Sequence, residues 1–133
     1  MGKKIDAIVV RPMEKPRFMK VDASLDGYYK TIGCDCIQAV YPFEDPVAVI
    51  CDDEGKFRQM PNRALKMDGK IYDVLFGTFI ICGVGGSDFC SLPAELKDKY
   101  MKMFASPEMY MKNVDGRVLR IVMDGSEPTM VIA

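Results

Sequence analysis

The sequence predicts an α+β domain in which a mixed, mainly antiparallel sheet carries two helices packed on one face. Three observations predict it. Short runs rich in β-branched and aromatic residues are punctuated by proline and glycine turns, as in a meander of strands. Only two segments place apolar residues at helical spacing. The run from Val74 to Cys82 is apolar on both of its faces, as a strand covered from both sides would be. With 133 residues, 49% hydrophobic and 28% charged, the chain has the size and balance of a single domain over 1–133.

Lys4 to Arg11 holds Ala7-Ile8-Val9-Val10 and stops at Pro12, so it reads as a first strand, with Arg17 to Val21 as its hairpin partner. A short helix follows. Ser24 can accept a backbone N–H at its start, Leu25, Tyr28, Tyr29 and Ile32 share a face, and Gly33 supplies the stop. Gly27 inside it costs about 1 kcal/mol relative to alanine. Cys34 to Tyr41 and Pro46 to Cys51 read as two strands joined around Pro42. Asp52-Asp53-Glu54-Gly55 then turns the chain back into a strand at Lys56-Phe57-Arg58. Pro61 favours a turn that Asn62 could cap as a single helical turn through Leu65. Asp68-Gly69 is another turn, and Val74–Cys82 is the expected central strand.

Ser91 caps a second helix in which Leu92, Leu96, Tyr100 and Phe104 share a face, with Glu95–Lys99 and Asp98–Lys102 as charge pairs outside. In the tail, Met109–Met111 and Arg117–Met123 form a hairpin about Asp115-Gly116, with Thr129–Ala133 as a last strand. The expected core is Ile8, Val10, Leu25, Ile32, Val40, Val49, Leu75, Phe79, Ile81, Leu96, Tyr100 and Phe104.

A net charge of −1 without a concentrated basic face argues against nucleic-acid binding, and no apolar run reaches the roughly 20 residues of a membrane span. Met1-Gly2-Lys3-Lys4 runs straight into a strand, which predicts a cytoplasmic protein without a signal peptide. Five cysteines, Cys34, Cys36, Cys51, Cys82 and Cys90, are an odd number scattered over strands and suit buried free thiols. Histidine is absent, which removes the usual general base and the commonest metal ligand, so the reading is of a non-catalytic protein without cofactor or metal.

Four residues stand out as candidate ligand- or partner-binding positions: Asn62, Arg63, Asp88 and Phe89. An outward Arg63 would present a planar fork to a carboxylate or phosphate. In the structural alternative Asn62 satisfies loop amides and Arg63 pairs with Asp73 or Asp88. Gly83-Val84-Gly85-Gly86-Ser87 lacks the spacing of a phosphate loop and reads as a hairpin connection. Cys34-x-Cys36 has no second cysteine pair at zinc spacing, and Asp52-Asp53-Glu54 lacks that of a calcium loop. Met101, Met103, Met109 and Met111 interleave with Tyr100, Phe104 and Tyr110. Exposed together, Met101, Met109 and Met111 would mark a protein-binding or self-association patch.

The order Pro61-Asn62-Arg63-Ala64-Leu65, Asp73-Val74-Leu75-Phe76-Gly77-Thr78-Phe79-Ile80-Ile81-Cys82-Gly83, Asp88-Phe89-Cys90-Ser91-Leu92 resembles the domain-of-unknown-function family three-eight-four-six. Residues 4–104 are the family-like core, including the hairpin Val49 to Lys56, and 105–133 is a C-terminal extension. The resemblance implies a gene of phage, plasmid or conjugative-element origin in Gram-positive bacteria, implies no known activity, and draws attention to Asn62 and Arg63. The functional expectation is a small accessory protein of a mobile element that binds a protein of the host or the element. A domain holding an anionic small molecule such as a nucleotide, with Arg63 and the Gly83–Ser87 amides, is the alternative, ahead of an enzyme working without histidine. Self-association as a homodimer through the tail stays open.

Overall fold

Alternation along three strands dictates the architecture. In β1 (Lys4–Val10) the side chains of Ile8 and Val10 point to one core while Ile5, Ala7 and Val9 point to another. The computed structural model describes residues 3–131. β1 forms a hairpin with β2 (Arg17–Asp22), and α1 (Leu25–Ile32) follows, with Ser24 Oγ accepting from Gly27 N at 3.0 Å and Gly33 ending it at φ 82°. The glycine at 27 has a steric reason. A Cβ there would stand 2.2 Å from the Asp22 carbonyl oxygen, so only glycine lets the helix start so close to β2.

β3 (Ile37–Val40) and β4 (Val47–Asp52) form the next hairpin, then come a helical turn α2 (Gly55–Arg58), the hairpin β5 (Pro61–Met67) and β6 (Lys70–Phe76), and β7 (Phe79–Gly85). β8 (Asp88–Cys90), α3 (Ala94–Met103) and the strands β9 (Glu108–Lys112), β10 (Val118–Val122) and β11 (Thr129–Val131) complete the chain. The main sheet has the order β2-β1-β7-β4-β3 with β8 also on β7, β5–β6 stand apart, and β9–β11 make a three-stranded sheet in the order β11-β10-β9. Every pairing among the described residues is antiparallel.

The central strands β1, β7 and β4 are buried on both faces. Ile8, Val49, Phe79 and Ile81 meet Tyr100 of α3 and Leu65 and Leu75 of the β5–β6 hairpin, whereas Val9, Ile50 and Ile80 meet Tyr28 and Ile32 of α1. The helices therefore lie on opposite faces of the sheet rather than on one. A doubly buried sheet leaves two apolar faces to be covered, and each takes one helix.

Five further expectations change. The Val74–Cys82 run is two strands of different sheets, because the chain breaks at Gly77, whose φ is 79° and whose N–H is held by the Met60 carbonyl at 2.8 Å. The central strand begins only at Phe79. Lys56-Phe57-Arg58 coils instead of extending, and Asn62–Leu65 extends instead of coiling. Ser91 caps no helix, since its hydroxyl accepts from Asp6 N at 2.9 Å. Of the expected core, Leu25 is exposed on α1 and Val40 and Leu96 are partly buried, while the other nine are enclosed. Among the described residues no helix is long and apolar enough to cross a membrane.

Candidate functional site

The sequence predicts Asn62 and Arg63 on the surface. Both are fully buried. A register shift between Pro61 and Arg63 bulges β5 at Asn62, which re-aims its side chain inward. There Asn62 Nδ2 donates to the carbonyls of Val10, at 2.9 Å, and Gly77, at 2.8 Å, while its Oδ1 accepts from Arg63 Nη1 at 2.7 Å. Arg63 also donates from Nε and Nη2 to the Phe104 carbonyl, at 3.2 Å each, and from Nη2 to the Glu14 carbonyl at 2.6 Å. Phe104 is the C-cap of α3, so the guanidinium sits at the negative end of that helix. Burial pulls the Arg63 pKa down, against the opposing pull of Glu108. The pair locks together the end of β1, the β1–β2 connection, the Gly77 break and the end of α3.

Asp88 and Phe89 are elsewhere. Phe89 stacks edge-on against Tyr28 at 5.9 Å, on the α1 face, whereas Arg63 reaches Phe104, whose ring belongs to the α3 face. Asp88 Oδ1 accepts from the Phe89 amide. A cavity of about 290 Å³ beside them is lined by Tyr41, Val84, Gly86, Ser87, Asp88 and Phe89, with no cation among these. Of the Gly83–Ser87 segment expected as a hairpin connection, Gly83 to Gly85 belong to β7 and pair with β8, and only Gly86 and Ser87 form the turn. The four candidate residues thus do not converge, and Arg63 pairs with neither Asp73 nor Asp88: Asp73 takes Lys56 at 2.8 Å.

A second polar centre explains the α2 turn. The Asp52 carboxylate, enclosed at the end of β4, accepts from Arg58 Nε at 3.1 Å, Gln59 Nε2 at 3.1 Å and the Glu54 amide at 2.9 Å, and Arg58 reaches on to Asp35 at 2.7 Å. A buried carboxylate needs such donors, and coiling 55–58 supplies them. Burial alone would raise the Asp52 pKa, but the Arg58, Glu54 and Gln59 hydrogen bonds outweigh it and hold the group below the usual carboxylate range. With the folded pKa below the unfolded one, the contribution is present above the unfolded value of about 4 and is lost as pH falls through the folded one. Asp52→Asn is therefore expected to flatten the acid limb of the stability–pH curve; an unchanged limb in urea titrations between pH 5 and pH 2 would sink this assignment.

The thiols of Cys34, Cys36, Cys51 and Cys82 are poor nucleophiles. Burial pushes Cys51 to about 11 and Cys82 to about 12, and raises Cys34 and Cys36 as well. Among the described residues no group of three metal-ligating acids or cysteines converges, and every buried side-chain N or O has a partner.

The third centre joins the extension to the core. Glu108 Oε1 accepts from Ala64 N at 3.0 Å, Tyr110 OH at 2.7 Å and Arg120 Nε at 2.8 Å. Glu108, Tyr110 and Arg120 thus define the inward face of the β9–β11 sheet, together with Val118 and Val122. Between that face and the outer side of β6 lies a groove of about 450 Å³ lined by Tyr72, Val74, Phe76, Tyr110, Val118 and Val131, whose basic residue Lys56 is held by Asp73.

Comparison with known families matches residues 5–105 to Domain of unknown function (DUF3846). The chain belongs to this family. No curated protein and no solved structure matches it. The Asn62–Arg63 lock lies wholly within the DUF3846 span, acceptors included, whereas β9, β10 and β11 lie wholly beyond it. Only Glu108, through Ala64, carries a side-chain hydrogen bond from that sheet into the family domain among the described residues.

The outer face of the added sheet consists of Met109 and Met111 on β9, Leu119 and Ile121 on β10, and Met130 on β11. In the strand register Leu119 stands between Met111 and Met130, with Ile121 opposite Met109. Met111 is 52% and Met130 46% exposed. Met101, which with Met109 and Met111 would mark a patch if all three were exposed, packs against the core. Sequence reading missed Leu119, Ile121 and Met130, although all five residues stand at alternate positions of three short strands, which was the available signal.

Proposed function

We propose that this DUF3846 protein is a small, non-catalytic accessory protein of a mobile element that acts in the cytoplasm by binding a protein partner. One observation carries the reading. A sheet with one face in water alternates apolar-in, polar-out, yet the outward positions of β9–β11 hold Met109, Met111, Leu119, Ile121 and Met130 with no polar residue among them. Such contiguous apolar surface on an otherwise charged protein is the mark of an interaction site. The mobile-element setting follows the family resemblance. The anionic-ligand reading has less support, because Arg63 is buried and spends its donors on carbonyls and Asn62.

The test compares the wild type with Met111→Lys/Met130→Lys, two exposed positions where lysine can be solvated, and with Phe57→Ala, 91% exposed on α2, as a surface control. Each is used to retain proteins from a host lysate, and the enriched protein is then purified and titrated directly. The double variant is expected to bind about tenfold more weakly or worse while the Phe57 variant binds as the wild type does. Equal binding by wild type and double variant rules this face out.

A further inference from the structure

On the inward side of the β9–β11 sheet, away from the face proposed for a partner, we infer that the cleft between the end of α3 and the β10–β11 turn binds a small zwitterion. Its chemical class is an α-amino acid with an apolar side chain, its carboxylate on Arg120 and its ammonium toward Asp124 and Glu127. The cleft holds about 450 Å³, the room of a small-molecule site. Arg120 lines it, although its side chain is only 9% exposed. Glu108 takes Nε at 2.8 Å, and neither Nη1 nor Nη2 donates to a protein group among the described residues. Every enclosed side-chain N and O there has a partner, so these two nitrogens open into the cleft. A nearly buried guanidinium with two unclaimed donors is a fork for a carboxylate.

The surrounding charge chooses between an anion and a zwitterion. Lys66 of β5 and Lys102 of α3 come from the family domain, whereas Asp124 and Glu127 come from the extension. None of the four makes an ion pair among the described residues. Hydrogen bonds from Ser126 hold Asp124 below the usual carboxylate range, with a smaller pull from Arg120, so it is ionised at neutral pH. With Arg120 and Glu108 cancelling, two bases face two acids and the cleft is neutral, its charges divided between its walls. A plain anion on Arg120 would meet Asp124 and Glu127 unopposed. A plain cation would meet the fork and two lysines. A molecule with both charges matches both walls, and Met103 and Val122 give its side chain an apolar strip.

The probe is L-leucine, titrated into the intact chain and followed by amide NMR, beside N-acetyl-L-leucine, which keeps only the carboxylate, and L-leucinamide, which keeps only the ammonium. Leucine is expected to shift the amides of Ser126, Glu127 and Thr129 saturably, and each analogue to bind about tenfold more weakly or worse, since one charge-assisted contact is gone. Arg120→Lys keeps the charge beside Glu108 without the fork, and Glu127→Gln removes one acid from the opposite wall. Each is expected to weaken leucine about tenfold, with the hydrogen exchange of β9–β11 unchanged. If Arg120→Lys loosens that sheet, Glu127→Gln alone decides. The absence of a saturable shift with leucine overturns the inference, as does leucine binding that Glu127→Gln leaves unchanged. Equal binding of N-acetyl-L-leucine overturns it in favour of a plain carboxylate site, and equal binding of L-leucinamide in favour of a cation site.

Discussion

Arg63→Ala is expected to destabilise the fold by about 3–5 kcal/mol, with the urea midpoint falling and the slope of the transition kept. Arg63 is the largest fully enclosed side chain among the described residues, and its removal opens a cavity while leaving Phe104 O, Glu14 O and Asn62 Oδ1 without their donor. Each buried acceptor left unmatched costs about 1–3 kcal/mol, and the cavity adds to this. Against these stands the relief of no longer desolvating a cation, which keeps the net within the range given. Two companions separate the contributions. Arg63→Met refills much of the volume but none of the hydrogen bonds, and Arg63→Lys keeps the charge without the fork that lets one guanidinium meet three acceptors. Both should fall between the wild type and Arg63→Ala. The sign also discriminates between a lock and a recognition residue, because residues held for function are commonly neutral or costly to stability. A loss under about 1 kcal/mol would mean that Arg63 is not the lock described and would return it to the candidate ligands.

The contrast between what the sequence disclosed and what it hid follows from the range of the interactions. Ser24 and Gly33 bound α1 by contacts within a few residues, and the apolar spacing of Tyr100 and Phe104 shows the buried side of the α3 segment without outside help. The β9–β10 hairpin, turned at Asp115-Gly116, is legible for the same local reason. Gly77 is not, since an apolar run reads continuously until a carbonyl from Met60 and a left-handed backbone divide it. Asn62 and Arg63 are polar residues after a proline and look exposed. Their burial depends on carbonyls at positions 10, 14, 77 and 104, which no local pattern links to them. The same holds for α2, where residues 55–58 coil to serve a carboxylate that belongs to the preceding strand. The Asn62–Arg63 tract thus serves architecture, and the face proposed for a partner lies outside it. Asp88 remains an exposed candidate separate from that tract, whereas Phe89 is half-buried against Tyr28.

Glu108→Ala is expected to release the β9–β11 sheet while the family domain stays folded. The substitution strips Arg120, itself nearly buried, of its carboxylate at 2.8 Å and leaves the Ala64 amide and the Tyr110 hydroxyl without an acceptor. Orphaning one member of a buried ion pair costs about 3–5 kcal/mol. A three-stranded sheet whose outer face is open has little apolar burial of its own to set against that. Hydrogen exchange should therefore show amides of β9, β10 and β11 losing their protection by a hundredfold or more, about 3 kcal/mol at 1.36 kcal/mol per decade, while those of β1, β4 and β7 exchange as before. Adding Arg120→Met should restore part of the protection, since an apolar replacement removes the unpaired cation instead of leaving it buried. If protection fell equally across β1, β4 and β7, the extension and the DUF3846 domain would be one cooperative unit. If it fell nowhere, Glu108 would not be the fastening. The expected outcome has a functional corollary. Partner binding through Met111 and Met130 requires the sheet to be docked, so Glu108→Ala should lose the partner together with the protection, although Glu108 faces the opposite side of the sheet from every residue of the proposed contact.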